Sequence, residues 1–158
     1  DLGGPQLTMR TVGSPGSARS PDRSDQRWLG LFPLRRRNQL AHFGSALPAN
    51  TGVITCLAND VSYDDIFSVQ LSTKGDSGDV LIALSGSGDS ENIVRALITA
   101  KEKRMQTFAI LGYSGGRCKE ISEVTFHFAV EDMQIAEDLQ LVVGHMCMQY
   151  LFESVQSK

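Results

Sequence analysis

Residues 78 to 94, GDVLIALSGSGDSENIV, set an apolar run, a loop of small residues and a helix start in direct succession. The run Val80-Leu81-Ile82-Ala83-Leu84 has the unbroken hydrophobicity of a strand buried on both faces, as in a parallel sheet. After the loop, Ile93, Val94, Leu97 and Ile98 recur at helical spacing. Strand, small-residue loop and helix N-terminus together make a phosphate-holding geometry. Backbone N–H groups and the positive end of the helix dipole face the anion, and hydroxyls add hydrogen bonds. The loop Ser85-Gly86-Ser87-Gly88-Asp89-Ser90 contains no Lys and fits neither the Walker nor the G-x-G-x-x-G spacing. A compact phosphate on a sugar suits it better than a nucleotide. The competing reading is a plain strand-to-helix turn capped by Ser or Asp.

The rest of the chain alternates in the same way. Thr51 to Leu57 and Ser62 to Leu71 read as short helical segments, the second opening on acidic residues that suit the helix dipole. Glu91 to Lys103 reads as a helix and Thr107 to Leu111 as a second apolar strand. A Gly-Gly turn at 115–116 leads to a short helix, and Val124 to Val130 alternates like a strand nearer a sheet edge. Such alternation predicts an α/β fold, a three-layer αβα sandwich around a central parallel sheet with a long C-terminal helix. In open sheets of this kind the ligand lies beyond the carboxyl ends of the strands, where Ser85 and Gly112 fall.

Several stretches together resemble the sugar isomerase (SIS) domain family, and the phosphoheptose isomerases most closely. They are Ala58-Asn59-Asp60, Tyr63-Asp64-Asp65-Ile66-Phe67-Ser68, the serine loop, Ala100-Lys101-Glu102-Lys103 and Leu111-Gly112-Tyr113-Ser114-Gly115-Gly116. The resemblance covers about residues 50 to 155 and implies a flavodoxin-like SIS fold. It implies that Ser85, Gly86, Ser87 and Ser90 hold the substrate phosphate, with Asn59 and Asp60 also at the substrate. The implied reaction converts sedoheptulose 7-phosphate to a heptose 7-phosphate through an enediol, for lipopolysaccharide, capsule or a related glycan. A cytoplasmic homotetramer is implied as well. The alternative from another class is a non-catalytic phosphosugar-binding regulatory or scaffold protein of the same fold.

The last helix, roughly Asp132 to Ser154, carries the other candidate chemistry. Ile135, Leu139, Val142, Val143, Met146, Tyr150 and Leu151 form its expected apolar face. Gln134, Asp138, Leu141 and His145 share a second stripe, because seven and eleven residues each return to within ~20° on an α-helix. Glu137 stands about 80° from His145. The resemblance implies that Glu137, in place of a glutamine, and His145 serve as catalytic residues or zinc ligands. Histidine is also the residue type suited to moving protons near neutrality. His127, in a strand, reads as structural.

Charge divides the chain. Residues 1 to 47 hold seven Arg against three Asp, with no Lys or Glu, and are rich in Ser, Pro and Gly. This composition reads as a divergent, poorly ordered or partly disordered segment ahead of a phosphosugar-binding domain at 48–158. Where the resemblance implies a helical His followed four residues later by Glu, residues 19 to 46 offer His42 and no Glu. The folded part is acidic, which argues against nucleic acid as a partner. Cys56, Cys118 and Cys147 are widely spaced and read as reduced thiols. No apolar run approaches the ~20 residues that a membrane helix needs.

Overall fold

The computed structural model describes residues 9–12 and 44–156. The sequence reading of residues 1–47 as poorly ordered falls largely on 1–8 and 13–43, outside the described residues. Strands β1 (Met9–Val12), β2 (Gly44–Ala46), β3 (Val80–Ser85), β4 (Gln106–Leu111) and β5 (Val124–His127) form one sheet in the order β2-β1-β3-β4-β5. Helices α1 (Thr51–Asp60), α2 (Ser68–Lys74), α3 (Glu91–Glu102), α4 (Gly116–Ile121) and α5 (Met133–Gln156) alternate with the later strands. Most elements fall where the residue pattern put them, but the segment read as one helix over Ser62 to Leu71 is a 3-10 turn at Tyr63–Asp65 followed by α2, and β5 stops at His127, short of Val130.

The parallel ladder is confined to β3, β4 and β5, with Ser85 opposite Leu111 and Leu111 opposite His127. Strand β1 runs antiparallel to both β3 and β2, so the parallel sheet expected from the alternation continues on one side into an antiparallel edge. The hydrophobic pattern does not decide this, because either direction satisfies the N–H and C=O groups on the free edge of β3.

Pleat alternation in β3 sorts its side chains. Leu81 and Ala83 join Ala109 and Leu111 under a core built with Leu47, Phe67, Leu71, Ile93, Leu97 and Cys118. Helices α1 to α4 all contribute to this side, so they form one layer. Within α3 the buried residues Ile93, Val94, Ala96, Leu97 and Ala100 keep the 3–4 spacing that turns one stripe to the sheet. Val80 and Ile82 point to the opposite face with Leu84 and Phe108. Among the described residues that face carries α5, tied by the Gln140 side-chain amide donating to the Ile110 carbonyl at 3.4 Å.

Helix α5 corrects the expected apolar face. Only Val143 of those seven residues is fully buried, together with Ala136 one heptad earlier. Val142, Met146 and Tyr150 are 49%, 62% and 73% exposed. Apolar side chains occur on more than one side of this helix, so one stripe packs on the sheet and another is left outside.

At the amino end of β3, Asp79 is nearly enclosed and closes a turn, its Oδ2 accepting the Asp76 N–H at 2.9 Å. Its Oδ1 is buried without a partner, and desolvation raises the carboxyl pKa. A folded pKa above the unfolded one means that the protonated form supports the fold. That support is lost as pH rises from the unfolded value through the folded one. Asp79→Asn, which keeps an acceptor for Asp76, should gain stability relative to the parent chain across that rise. Urea unfolding from pH 3 to 7 measures the difference, and parallel curves would disprove the assignment.

Candidate functional site

The carboxyl ends of β3 and β4 release two loops, 86–90 and 112–115, that lie against each other. The Gly112 N–H donates to the carbonyls of Ser85 at 3.3 Å and Gly86 at 3.0 Å. A Cβ at Gly112 would come within 2.7 Å of both the Gly86 oxygen and the Ala136 Cβ, so only glycine lets loop and α5 approach this closely.

The serine loop also caps α4. Any α-helix starts with four N–H groups that lack helical acceptors. In α4 the Arg117 N–H donates to Asp89 Oδ1 and the Cys118 N–H to the Gly88 carbonyl, both at 2.9 Å. Gly88 adopts φ +76°, and a Cβ there would strike the Gly115 carbonyl, so this glycine is required twice over. A Cβ at Gly116 would strike the Asp89 carboxylate. The Gly-Gly pair and the Gly-Asp pair thus fit one another across the two loops.

The three serines divide their work. Ser85 is enclosed, and its Oγ accepts the Gly88 N–H at 3.0 Å, which curls the loop. Ser87 is half-buried and its Oγ accepts the Asp89 N–H at 3.2 Å. Ser90 is half-buried at the N-cap of α3, with no capping bond from its hydroxyl. The Ile93 and Val94 N–H groups both turn to the Ser90 carbonyl, at 3.0 and 3.1 Å. Among the described residues, no acceptor is assigned to the N–H groups of Ser90, Glu91 and Asn92. The start of a twelve-residue helix therefore presents open donors beside a free hydroxyl, as an anion site requires. Asn92 adds a buried Oδ1 that has no partner.

The opposing loop is braced by His127, whose Nε2 lies 2.8 Å from the Tyr113 carbonyl. A carbonyl only accepts, so Nε2 carries the proton and Nδ1 accepts from Lys119 Nζ at 3.1 Å. This is the structural role expected of His127. Burial pushes the Cys118 thiol up to about 12, which keeps it protonated and inert beneath the loops.

The remaining candidates stand elsewhere. Asn59 and Asp60 are exposed at the end of α1, the Asn59 amide donating to Asp60 Oδ1 at 2.7 Å. Asp60 also accepts from the Cys56 thiol at 3.4 Å, and this bond holds that thiol above its usual range. Neither side chain is hydrogen-bonded to the serine loop. Glu137 is half-buried and follows Ala136, which packs at Gly112. His145 is exposed, about 13 Å along the helix axis from Ala136 at ~1.5 Å per residue. One chain therefore brings Glu137 to the serine loop's neighbourhood and leaves His145 away from it. Among the described residues no three His, Cys, Asp or Glu side chains cluster closely enough to hold a metal ion. Glu137 and His145, eight residues apart on one helix, belong to no such cluster among the described residues. Residue patterns gave no notice of Gly112 and Arg117 as parts of the loop's support, although a glycine ending β4 and an arginine after Gly-Gly were visible.

A serine loop at the carboxyl end of a parallel strand, locked to its neighbour and open at a helix N-terminus, gives an α/β protein the donor set that an anionic ligand needs. The SIS domain family matches residues 9–112, so the chain belongs to that family. Within it, the chain is similar to phosphoheptose isomerases. It is 30% identical over 149 residues to the enzyme of Nitratiruptor sp., covering 94% of this chain and 78% of the relative. It is 30% identical over 147 residues to that of Nitratidesulfovibrio vulgaris, covering 90% and 69%. The solved phosphoheptose isomerase of Neisseria gonorrhoeae superposes with a TM-score of 0.64 at 28% identity, over 65% of this chain and 59% of that one.

Gly88→Ala should lower stability by about 1–3 kcal/mol from the positive φ alone, with the clash against Gly115 adding to it. Phosphate-ester binding should fall with it. Urea unfolding and calorimetry test this, and an unaltered midpoint would show that the two loops are not locked together.

Proposed function

We propose that the chain is a phosphosugar isomerase that interconverts sedoheptulose 7-phosphate and a heptose 7-phosphate. The observation that carries this reading is the set of open N–H donors and the free Ser90 hydroxyl at the start of α3, in a chain whose relatives are phosphoheptose isomerases. A phosphate held there anchors one end of the sugar, and the carbonyl end then extends over the carboxyl edge of the sheet. In the forward direction a base removes a proton from C1 while the C2 carbonyl takes one up to form an enediol. Return of a proton to C2 with loss of the O1 proton leaves the aldehyde. A base, an acid and a steadied oxyanion are needed, and anchoring supplies orientation. Glu137 follows Ala136, which packs at Gly112 beside the loop, and is our candidate for one of these roles.

His145 is the second candidate, and it requires a second subunit. Its distance from its own serine loop, together with the exposed Leu141, Val142, Met146, Tyr150 and Phe152 on α5, supports an assembly in which α5 helices pack together. Large apolar side chains left exposed along one helix mark an interaction site. We take the assembly to be a homotetramer that would place His145 at a neighbouring copy's loop. The product would feed heptose-containing surface glycans in the cytoplasm. No helix among the described residues is long and apolar enough to cross a membrane.

Turnover of sedoheptulose 7-phosphate, followed by release of the aldose, is the decisive assay. Ser87→Ala and Ser90→Ala should each weaken phosphosugar binding by roughly 1–3 kcal/mol, as loss of a hydrogen bond to a charged group does. His145→Ala should abolish turnover and leave the melting temperature within a few degrees. Phosphosugar binding through an intact loop with no turnover in the parent chain would favour a non-catalytic regulatory protein instead.

Assembly has its own test. Met146→Glu combined with Tyr150→Glu should convert the oligomer to monomer in light scattering and remove turnover, while phosphate binding to the serine loop persists. A monomeric parent chain with full activity would sink the shared-site reading.

A further inference from the structure

The serine loop carries a carboxylate that a phosphate would repel. Asp89 sits between Gly88 and Ser90, and Glu91 opens α3 directly afterwards, so two anions flank the open N–H groups. Arg117 reaches both. Its Nη1 donates to Glu91 Oε2 at 2.9 Å, and its Nε lies 3.4 Å from Asp89 Oδ1. Its Nη2 donates to the Asp89 backbone carbonyl at 2.9 Å, and its own N–H caps back onto Asp89 Oδ1. Glu91 turns its other oxygen to Arg95 Nε at 3.0 Å, and Arg95 continues to Asp65 at 2.7 Å. The alternation of sign runs from the loop through the first turn of α3 to the segment before α2.

The geometry points to Arg117 as a positioning residue of the phosphate site, one that offsets the Asp89 carboxylate, shares Glu91 with Arg95 and pins the Asp89 peptide so that a dianion can approach the open donors. The inference rests on the phosphosugar reading of the loop and adds to it the residue that makes an acidic loop compatible with an acidic ligand. Asp89 cannot simply be dispensed with, because its carboxylate caps α4 and fills the space over Gly116. The loop keeps the carboxylate for its fit and uses Arg117 to cancel its charge. An ordinary exposed ion pair would contribute little to anything. Here the pair's position between ligand and helix start gives it an effect on affinity that exceeds its effect on stability.

Calorimetric titration of sedoheptulose 7-phosphate and of inorganic phosphate into the full chain separates these roles. Arg117→Ala should weaken both ligands about tenfold, the factor expected when one nearby charge goes uncompensated. KM should rise by a similar factor with kcat little changed, and the melting temperature should stay close to that of the parent. Asp89→Asn in the Arg117→Ala background keeps an acceptor for the α4 cap and removes the repelling charge, so it should recover most of the affinity. Arg117→Gln is read in the same way and preserves the side-chain stem if the alanine variant folds poorly. Parent-like affinity in both Arg117 variants, or a double variant no better than Arg117→Ala, would overturn the role of Arg117. A parent chain that binds neither sugar phosphate nor inorganic phosphate would overturn the phosphate site itself, and this inference with it.

Discussion

Two hydrogen bonds from the first turn of α4 to the loop after β3 hold the site together. The Cys118 and Arg117 N–H groups need acceptors, and Gly88 and Asp89 supply them at 2.9 Å each. A helix of six residues has little cooperative stability of its own, so its capping from outside matters more than it would for a long helix. The reciprocal effect falls on the serine loop. With its own polar groups engaged by α4 and by Ser85, the loop is held in one shape while the N–H groups of α3 remain open. An anion site preorganised in this way spends little binding energy on ordering.

This coupling also explains the glycines. Gly88, Gly112 and Gly116 each stand where a Cβ would meet a carbonyl, a methyl or a carboxylate of a facing segment. They are small because something else is close, and the positive φ values of Gly88 and Gly116 are a second demand at the same places. The charges follow the same logic. Glu91 is held below the usual carboxylate range, first by its bond to Arg95 and then by that to Arg117. Asp89 and Glu91 are thus committed partners of Arg117, and Glu91 is shared with Arg95.

Helix α5 divides into two parts with different duties. Its first turns pack Ala136 at Gly112 and tie Gln140 to β4, which fixes Glu137 relative to the serine loop. Met146, Met148, Tyr150 and Phe152 beyond Val143 are exposed, and His145 lies among them.

Local pattern was sufficient for the strand Val80–Ser85, the helix Glu91–Glu102 and the serine loop between them, because each rests on short-range periodicity and on residue types with narrow conformational preferences. The order of alternating elements was legible for the same reason. Pattern did not determine the direction of β1, since hydrogen-bonding edges accept either sense. Nor did it reveal which stripe of α5 would be covered, because its apolar residues encircle more than one face. Asp89 as the cap of α4 and Arg117 as its counter-charge join residues 28 positions apart in the chain. No periodicity connects them. Only folding of β3 beside β4 brings their loops together, and the chemistry of the site follows from that proximity.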